Sequence, residues 1–161
     1  MKIALMILMA TTAAMAAGPW GMPANSDGEC EYSGVIEVDG VTAVELYDRA
    51  SAWAEALQGA IEMTETGTHA MEIRAHVPAP MALLAAEVRF AIAIETREGR
   101  YRYRFSGFTL DSVNGNIHRD LDPGGEKYRG KRNMVNRTAL KIERILGGLR
   151  LAMDANAGDD W

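Results

Sequence analysis

The stretch 88–110, VRFAIAIETREGRYRYRFSGFTL, constrains this chain more than any other. Val88, Phe90, Ile92 and Ile94 recur at every second residue, and beyond Glu98-Gly99 so do Tyr101, Tyr103 and Phe105. Period-two alternation puts each set on one face of a strand. A glycine between them supplies the positive φ that a tight hairpin turn needs. With Glu98-Gly99 as the loop, Thr96 stands opposite Tyr101, Ile94 opposite Tyr103 and Ile92 opposite Phe105. That register gathers both apolar sets on one face, which a slip of one residue would not. Each aromatic–aliphatic pair contributes roughly 0.2–1 kcal/mol.

The other face of the hairpin carries Arg89, Arg97, Arg100, Arg102 and Arg104, with only Glu95, opposite Arg102, to offset them. Guanidinium forks bind carboxylates, phosphates and sulfates in bidentate fashion, so these arginines are the candidate ligand-binding residues. The competing reading is a solvated sheet face whose charges discourage aggregation.

The chain opens with Lys2, an apolar run over residues 3–10 and the small-x-small site Ala14-Met15-Ala16. The run is too short to span a bilayer and reads as a secretory signal over residues 1–16, cleaved near Ala16. No second apolar stretch offers a membrane anchor, so the expected address is periplasmic or secreted. Residues 17–31 hold Gly18, Pro19, Gly21, Pro23, Asn25, Ser26 and Gly28, a linker composition. Cys30, the only cysteine, cannot form an internal disulfide and stands too far from the apolar run to be a lipid-attachment site. The formal charge of −5 and export together argue against a nucleic-acid partner, whose binding rests on neutralised phosphates.

The domain begins at about Tyr32. Val35-Ile36-Glu37-Val38 reads as a first strand ended by Asp39-Gly40. Thr42-Ala43-Val44-Glu45 fits a capping box. Ala43, Leu46, Tyr47, Ala50, Trp53, Ala54 and Leu57 then form one helical stripe ending near Gly59. Ile61 and Met63 mark a second strand, and Met71, Ile73, Ala75 and Val77 a third, so the order before the second helix is β-α-β-β-β-β. The run YSGVIEVDGVTAVELYDRASAW followed by REGRYRYRFSGFTL resembles a family of exported bacterial proteins. That family is a domain of unknown function with a TBP-like fold, common in envelope proteins of Bacteroidota. The resemblance covers residues 32–110 and extends more loosely through the C-terminal helix. Its most specific features are Glu45-Leu46-Tyr47 with Trp53, and Gly99-Arg100-Tyr101-Arg102-Tyr103 ahead of Phe108. It implies the fold and carries over no catalytic residue.

Residues 111–130 read as a long irregular loop, a place where function often resides. Asp111, Asp120, Asp122 and Glu126 could gather at calcium, but their spacing fits no EF-hand, and a polar surface loop is the default. Val135, Ala139, Ile142, Ile145, Leu146, Leu149 and Met153 stripe a helix over residues 133–152, interrupted by Gly147-Gly148. Those glycines fit a kink, a helix end or close packing. Residues 154–161 form an acidic tail ending in Trp161. His69, His76 and His118 lie in separate contexts, His76 on the polar, exposed side of its strand, and no metal, cofactor or nucleophile motif is present.

The expected architecture is α+β and TBP-like, an antiparallel sheet of about five strands (β-α-β-β-β-β-α) on two helices over residues 32–153. Its inner face holds Val35, Phe90, Ile92, Ile94, Tyr101, Tyr103 and Phe105, with Trp53 in the core. The expected function is non-catalytic binding of an anionic small molecule, a glycan or an acidic protein surface. The alternatives are a structural subunit of an envelope complex, or a hydrolase using the long loop. The fold-level analogy to the TATA-binding protein points to DNA, and export and charge exclude it.

Overall fold

The computed structural model describes residues 21–79, 85–112, 114–121, 123 and 132–154. The leader at 1–16 with its cleavage site, the linker residues 17–20, Asp122, residues 124–131 with Glu126, and the tail from 155 to Trp161 lie outside the described residues. The chain forms β1 (Tyr32–Glu37), α1 (Ala43–Ala56), β2 (Ala60–Gly67) and β3 (Ala70–Ala79). It continues with β4 (Ala86–Arg97), β5 (Arg100–Ser112), β6 (His118–Asp120) and α2 (Arg132–Asp154).

The hairpin closes in the expected register, Thr96 on Tyr101, Ile94 on Tyr103 and Ile92 on Phe105. Its arms are the centre of an antiparallel sheet ordered β1-β5-β4-β3-β2, with β6 pairing the far half of β5. α1 packs on β4 with further contact to β5 and β2, α2 packs on β3, and the helices pack on each other. One face of the sheet is therefore core, where Ile73, Val88, Ile92, Phe105, Leu46, Ile142 and Leu149 lose all contact with solvent.

Beyond Phe105 the register shifts by one residue, from Ala91 opposite Ser106 to Arg89 opposite Thr109. Gly107 absorbs the extra residue at φ +66°, the left-handed conformation that such a bulge assigns to glycine. The inward set on β5 changes from odd to even numbers, so Phe108 and Leu110 join the core. Their rings and side chains continue the row begun by Phe90, which stacks on Phe105 and Phe108.

Several expectations change. Val35 does not face the core: it is 55% exposed, and Tyr32, Gly34 and Ile36 turn inward instead. The reason lies across the strand pair, where a Cβ at Gly34 would stand 2.8 Å from the Tyr103 hydroxyl. The central inward position is a glycine that makes room for a tyrosine, so the inward set does not read as apolar. The stretch read as linker is part of the fold from Gly21 onward. Ala24 bridges Cys30, Met22 and Cys30 are buried, and the Asn25 carboxamide oxygen accepts from the N–H groups of Asp27 and Glu29. The Cys30 thiol donates to the Leu121 carbonyl at 3.2 Å. The segment read as irregular contains β6, because β5 runs on to Ser112 and offers its edge to His118–Asp120. His76 is half-buried rather than exposed. β2 is exposed along its whole length as an edge strand, Ile61 and Met63 included.

The helices follow their stripes. The Thr42 hydroxyl accepts from the Glu45 N–H at 3.2 Å, but Glu45 does not complete the box; its carboxylate pairs with Arg49 at 2.8 Å. α2 passes through Gly147-Gly148 without ending. Gly148 is a close approach, since a Cβ there would lie 3.4 Å from Trp53 Nε1. Trp53 is thus a partly buried residue of the helix–helix crossing rather than a fully buried core ring. Gly59, between α1 and β2, has φ +90°, and a Cβ there would lie 2.3 Å from the His76 carbonyl oxygen. Gly59→Ala is expected to lower stability by about 2–3 kcal/mol through backbone strain. Trp53→Ala, at a half-exposed crossing, is expected to cost about 2–3 kcal/mol, below the range for a fully buried tryptophan. Chemical denaturation of the two variants checks both values.

Candidate functional site

The outward face of the sheet is built by alternation. Every residue that skips the core on β1 to β5 arrives on the same surface, and the strand registers set who stands beside whom. Across the sheet the rows run Glu37–Arg100–Arg97, Val35–Arg102–Glu95–Ala70 and Ser33–Arg104–Ala93–Glu72–Thr64. They continue as Ser106–Ala91–Arg74–Glu62, Thr109–Arg89–His76 and Asp111–Glu87–Pro78. The structure therefore brings Arg89, Arg97, Arg100, Arg102 and Arg104 onto one surface, as alternation requires.

It also brings carboxylates that the hairpin alone did not reveal. Arg89 lies 2.7 Å from Glu87 and 4.0 Å from Asp111, so Glu95 is not the only acidic partner. Glu95 itself takes two guanidinium groups, Arg97 at 2.9 Å and Arg102. These contacts hold the Glu95 carboxyl below its ordinary range, the Arg102 hydrogen bond contributing most and Arg97 next. Arg74 and Glu62 form a looser pair at 3.8 Å. Over β1 to β5, Glu37, Glu62, Glu72, Glu87, Glu95 and Asp111 equal in number Arg74, Arg89, Arg97, Arg100, Arg102 and Arg104, and β6 adds Asp120 opposite Thr109. The face is charge-balanced, not cationic.

The balance is uneven in space. Among the described residues, Arg100 and Arg104 have no carboxylate within ion-pair distance, although Arg100 stands opposite Glu37. Beside Arg104 lies a depression of about 440 Å³ whose polar lining is Glu31, Ser33, Thr66, Glu95, Arg102 and Arg104, with Ala93 among its small residues. Its floor is low because Ala93 and Ser33 flank Arg104 in the row. A smaller hollow of about 200 Å³ lies between Val35, Glu95, Arg97, Arg100 and Arg102.

At the other end of the face His118 Nδ1 lies 2.6 Å from Asp111 Oδ1, and the Thr109 hydroxyl donates to Asp111 at 2.9 Å. Partial burial raises the Asp111 carboxyl, but the His118 and Thr109 hydrogen bonds outweigh it and the net shift is downward. Asp111 is thus committed to neighbours on the sheet. Among the described residues no group of His, Cys, Asp or Glu is placed to hold a metal ion, and no helix is long and apolar enough to cross a membrane.

The sheet order, the two helices on one face and the exposed opposite face can be compared with known folds. Residues 32–111 match the family described as a domain of unknown function (DUF4468) with TBP-like fold. The chain belongs to that family. A crystal structure of a TBP-like protein from Parabacteroides distasonis ATCC 8503 superposes on this chain with a TM-score of 0.65 at 13% identity, covering 80% of this chain and 95% of that one. A DUF4468 family protein from Bacteroides ovatus ATCC 8483 gives a TM-score of 0.57 at 12% identity, covering 83% and 91%. At such identities the likeness concerns the fold alone. No curated protein matches the chain. The fold expected from the sequence, α+β and TBP-like with two helices, is the one observed, with β6 as an additional short strand.

The Glu95 fork gives the DUF4468 sheet face a defined acid response. A carboxyl with a depressed folded pKa contributes stability that is complete above its unfolded value, about 4.3 for glutamate, and is lost as pH falls through the folded value. Carboxyl-carbon NMR titration is expected to place the Glu95 midpoint below that unfolded value. Arg102→Gln should move it back up more than Arg97→Gln does.

Proposed function

We propose that this domain is a non-catalytic binding module of the cell envelope, engaging an anionic ligand or an acidic partner surface at the β5 margin of its exposed sheet face. The observation that carries this reading is the pair of guanidinium groups without an ion-pair partner among the described residues, Arg104 bordering the depression with a small-residue floor and Arg100 bordering the smaller hollow beside it. On a strand they stand about 13 Å apart with Arg102 between them, a spacing suited to a ligand bearing repeated acidic groups. Arg89 and Arg97, engaged by Glu87 and Glu95, are supporting members rather than contacts. The charge balance of the whole face speaks against a phosphodiester backbone, which needs an extended uncompensated cationic track. The export that places such a module in the envelope rests on the leader pattern at residues 1–16.

Dextran sulfate serves as the probe. The wild-type protein is expected to bind it saturably and to release it as salt rises. Arg100→Gln with Arg104→Gln should weaken binding at least tenfold without changing the melting temperature. Glu95→Gln, which releases Arg97 and Arg102, should strengthen it. Binding that ignores all three substitutions would overturn the reading.

A further inference from the structure

A further groove, of about 410 Å³, lies between β1 and α2 and meets the depression beside Arg104 at Ser33 and Tyr103. Its polar lining is Tyr32, Ser33, Tyr103, Glu143 and Arg150, with Gly147 on the helix wall. Glu143, Gly147 and Arg150 follow at i, i+4 and i+7, so α2 presents an acid, a bare backbone and a base along one stripe.

Gly147, the Tyr32 hydroxyl and the Glu143 carboxylate lack a structural partner among the described residues. Unlike Gly148, Gly147 is not demanded by packing, because a Cβ there would meet nothing within 4 Å. A glycine inside a helix costs about 1 kcal/mol relative to alanine, and what it supplies here is an unobstructed groove wall. Tyr32 is only 7% exposed, edge-on to Phe108, yet its hydroxyl has no hydrogen-bond partner among the described residues. Leaving a buried hydroxyl unmatched costs about 1–3 kcal/mol. Burial above all, with Glu143 and Cys30 nearby, holds this phenol above its ordinary pKa, so it is a donor at neutral pH. Among the described residues the Glu143 carboxylate has no cationic partner. Arg150 rests on the Tyr103 hydroxyl at 3.0 Å, with its guanidinium carbon 5.8 Å from the ring centre.

Seven residues of helix separate the origins of the two charges by about 10.5 Å, and three extended residues of peptide span about 10 Å. β1 ends the main strand order, so the backbone of Ser33 lies on an edge that an extended chain can follow. We propose that this groove binds a short zwitterionic peptide of about three residues, its ammonium group on Glu143, its carboxylate on Arg150 and a backbone carbonyl on the Tyr32 hydroxyl. The Arg150 guanidinium exchanges its contact with the Tyr103 hydroxyl for the charged terminus, a stronger acceptor.

Calorimetric titration of the purified protein with trialanine tests this, beside N-acetyl-trialanine and trialanine amide. Saturable binding is expected for trialanine, at least tenfold weaker for either capped peptide. Glu143→Gln should lose as much affinity as acetylation, and the two losses should not add; Arg150→Gln should behave likewise with the amide. Gly147→Leu fills the groove from a position where its Cβ meets nothing and replaces a helix-interior glycine, so it should hold or raise the melting temperature and abolish binding. Tyr32→Phe, which removes an unmatched buried hydroxyl, should raise the melting temperature and weaken binding. Absence of saturable trialanine binding, equal binding of the capped peptides, or full binding by a folded Gly147→Leu protein would each overturn the assignment.

Discussion

The tip of the central hairpin fixes more than its own two strands. Gly99, at φ +68°, closes the turn, and its carbonyl accepts from Val38 while its N–H donates to Val41. The adjacent Glu98 carboxylate accepts from the Ala43 N–H at 3.2 Å, and the Thr96 hydroxyl donates to the Ala43 carbonyl at 2.8 Å. One turn therefore pins the passage from β1 into α1 and supplies a negative charge to the first turn of that helix, where the macrodipole favours it. With β1 held against β5, Ser33 must stand beside Arg104 and Val35 beside Arg102. The composition of both candidate sites descends from that clamp, because the β1 edge borders each of them.

The bulge at Gly107 is the second device on which the surface depends. Without the extra residue, Thr109 and Asp111 would point into the core and Phe108 and Leu110 into water. With it, Asp111 reaches the outward face and meets Arg89 and His118, while the aromatic row of the core continues unbroken. A single left-handed glycine thus keeps apolar and ionic residues on opposite faces of a strand that is too long to do so by strict alternation.

This logic explains what could be read from the chain and what could not. The hairpin register, the two helical stripes and the arginine alternation are local periodicities, and each survived contact with the structure. The place of Val35 was hidden because the deciding fact is Gly34 making space for Tyr103, sixty-nine positions away. The place of Cys30 was hidden because its neighbourhood is rich in turn formers, while its partner, the Leu121 carbonyl, stands far along the chain. The compensation of Arg89 by Glu87 and Asp111 became visible only once the two arms were followed beyond the apolar stretch into their flanks. β2 is signalled by Ile61 and Met63, but β6, His-Arg-Asp, carries no apolar side chain to signal it, and its existence depends on the open edge of β5.

Stability does not account for the polar inventory that remains. Exposed ion pairs such as Arg97–Glu95 contribute about 0–1 kcal/mol, so a sheet face laced with them gains little firmness from any one. Long side chains on such a face do cover the backbone and discourage edge-to-edge association, and neutral polar residues would serve that purpose as well. What neutral residues cannot reproduce is a guanidinium left without its carboxylate at a fixed spacing on a rigid strand. Arg100 and Arg104 sit on β5, an interior strand of the sheet, flanked by β4 on one edge and by β1 and β6 on the other. A site placed there holds its geometry at little entropic cost when a ligand arrives, which is the advantage of building recognition on a strand rather than a loop.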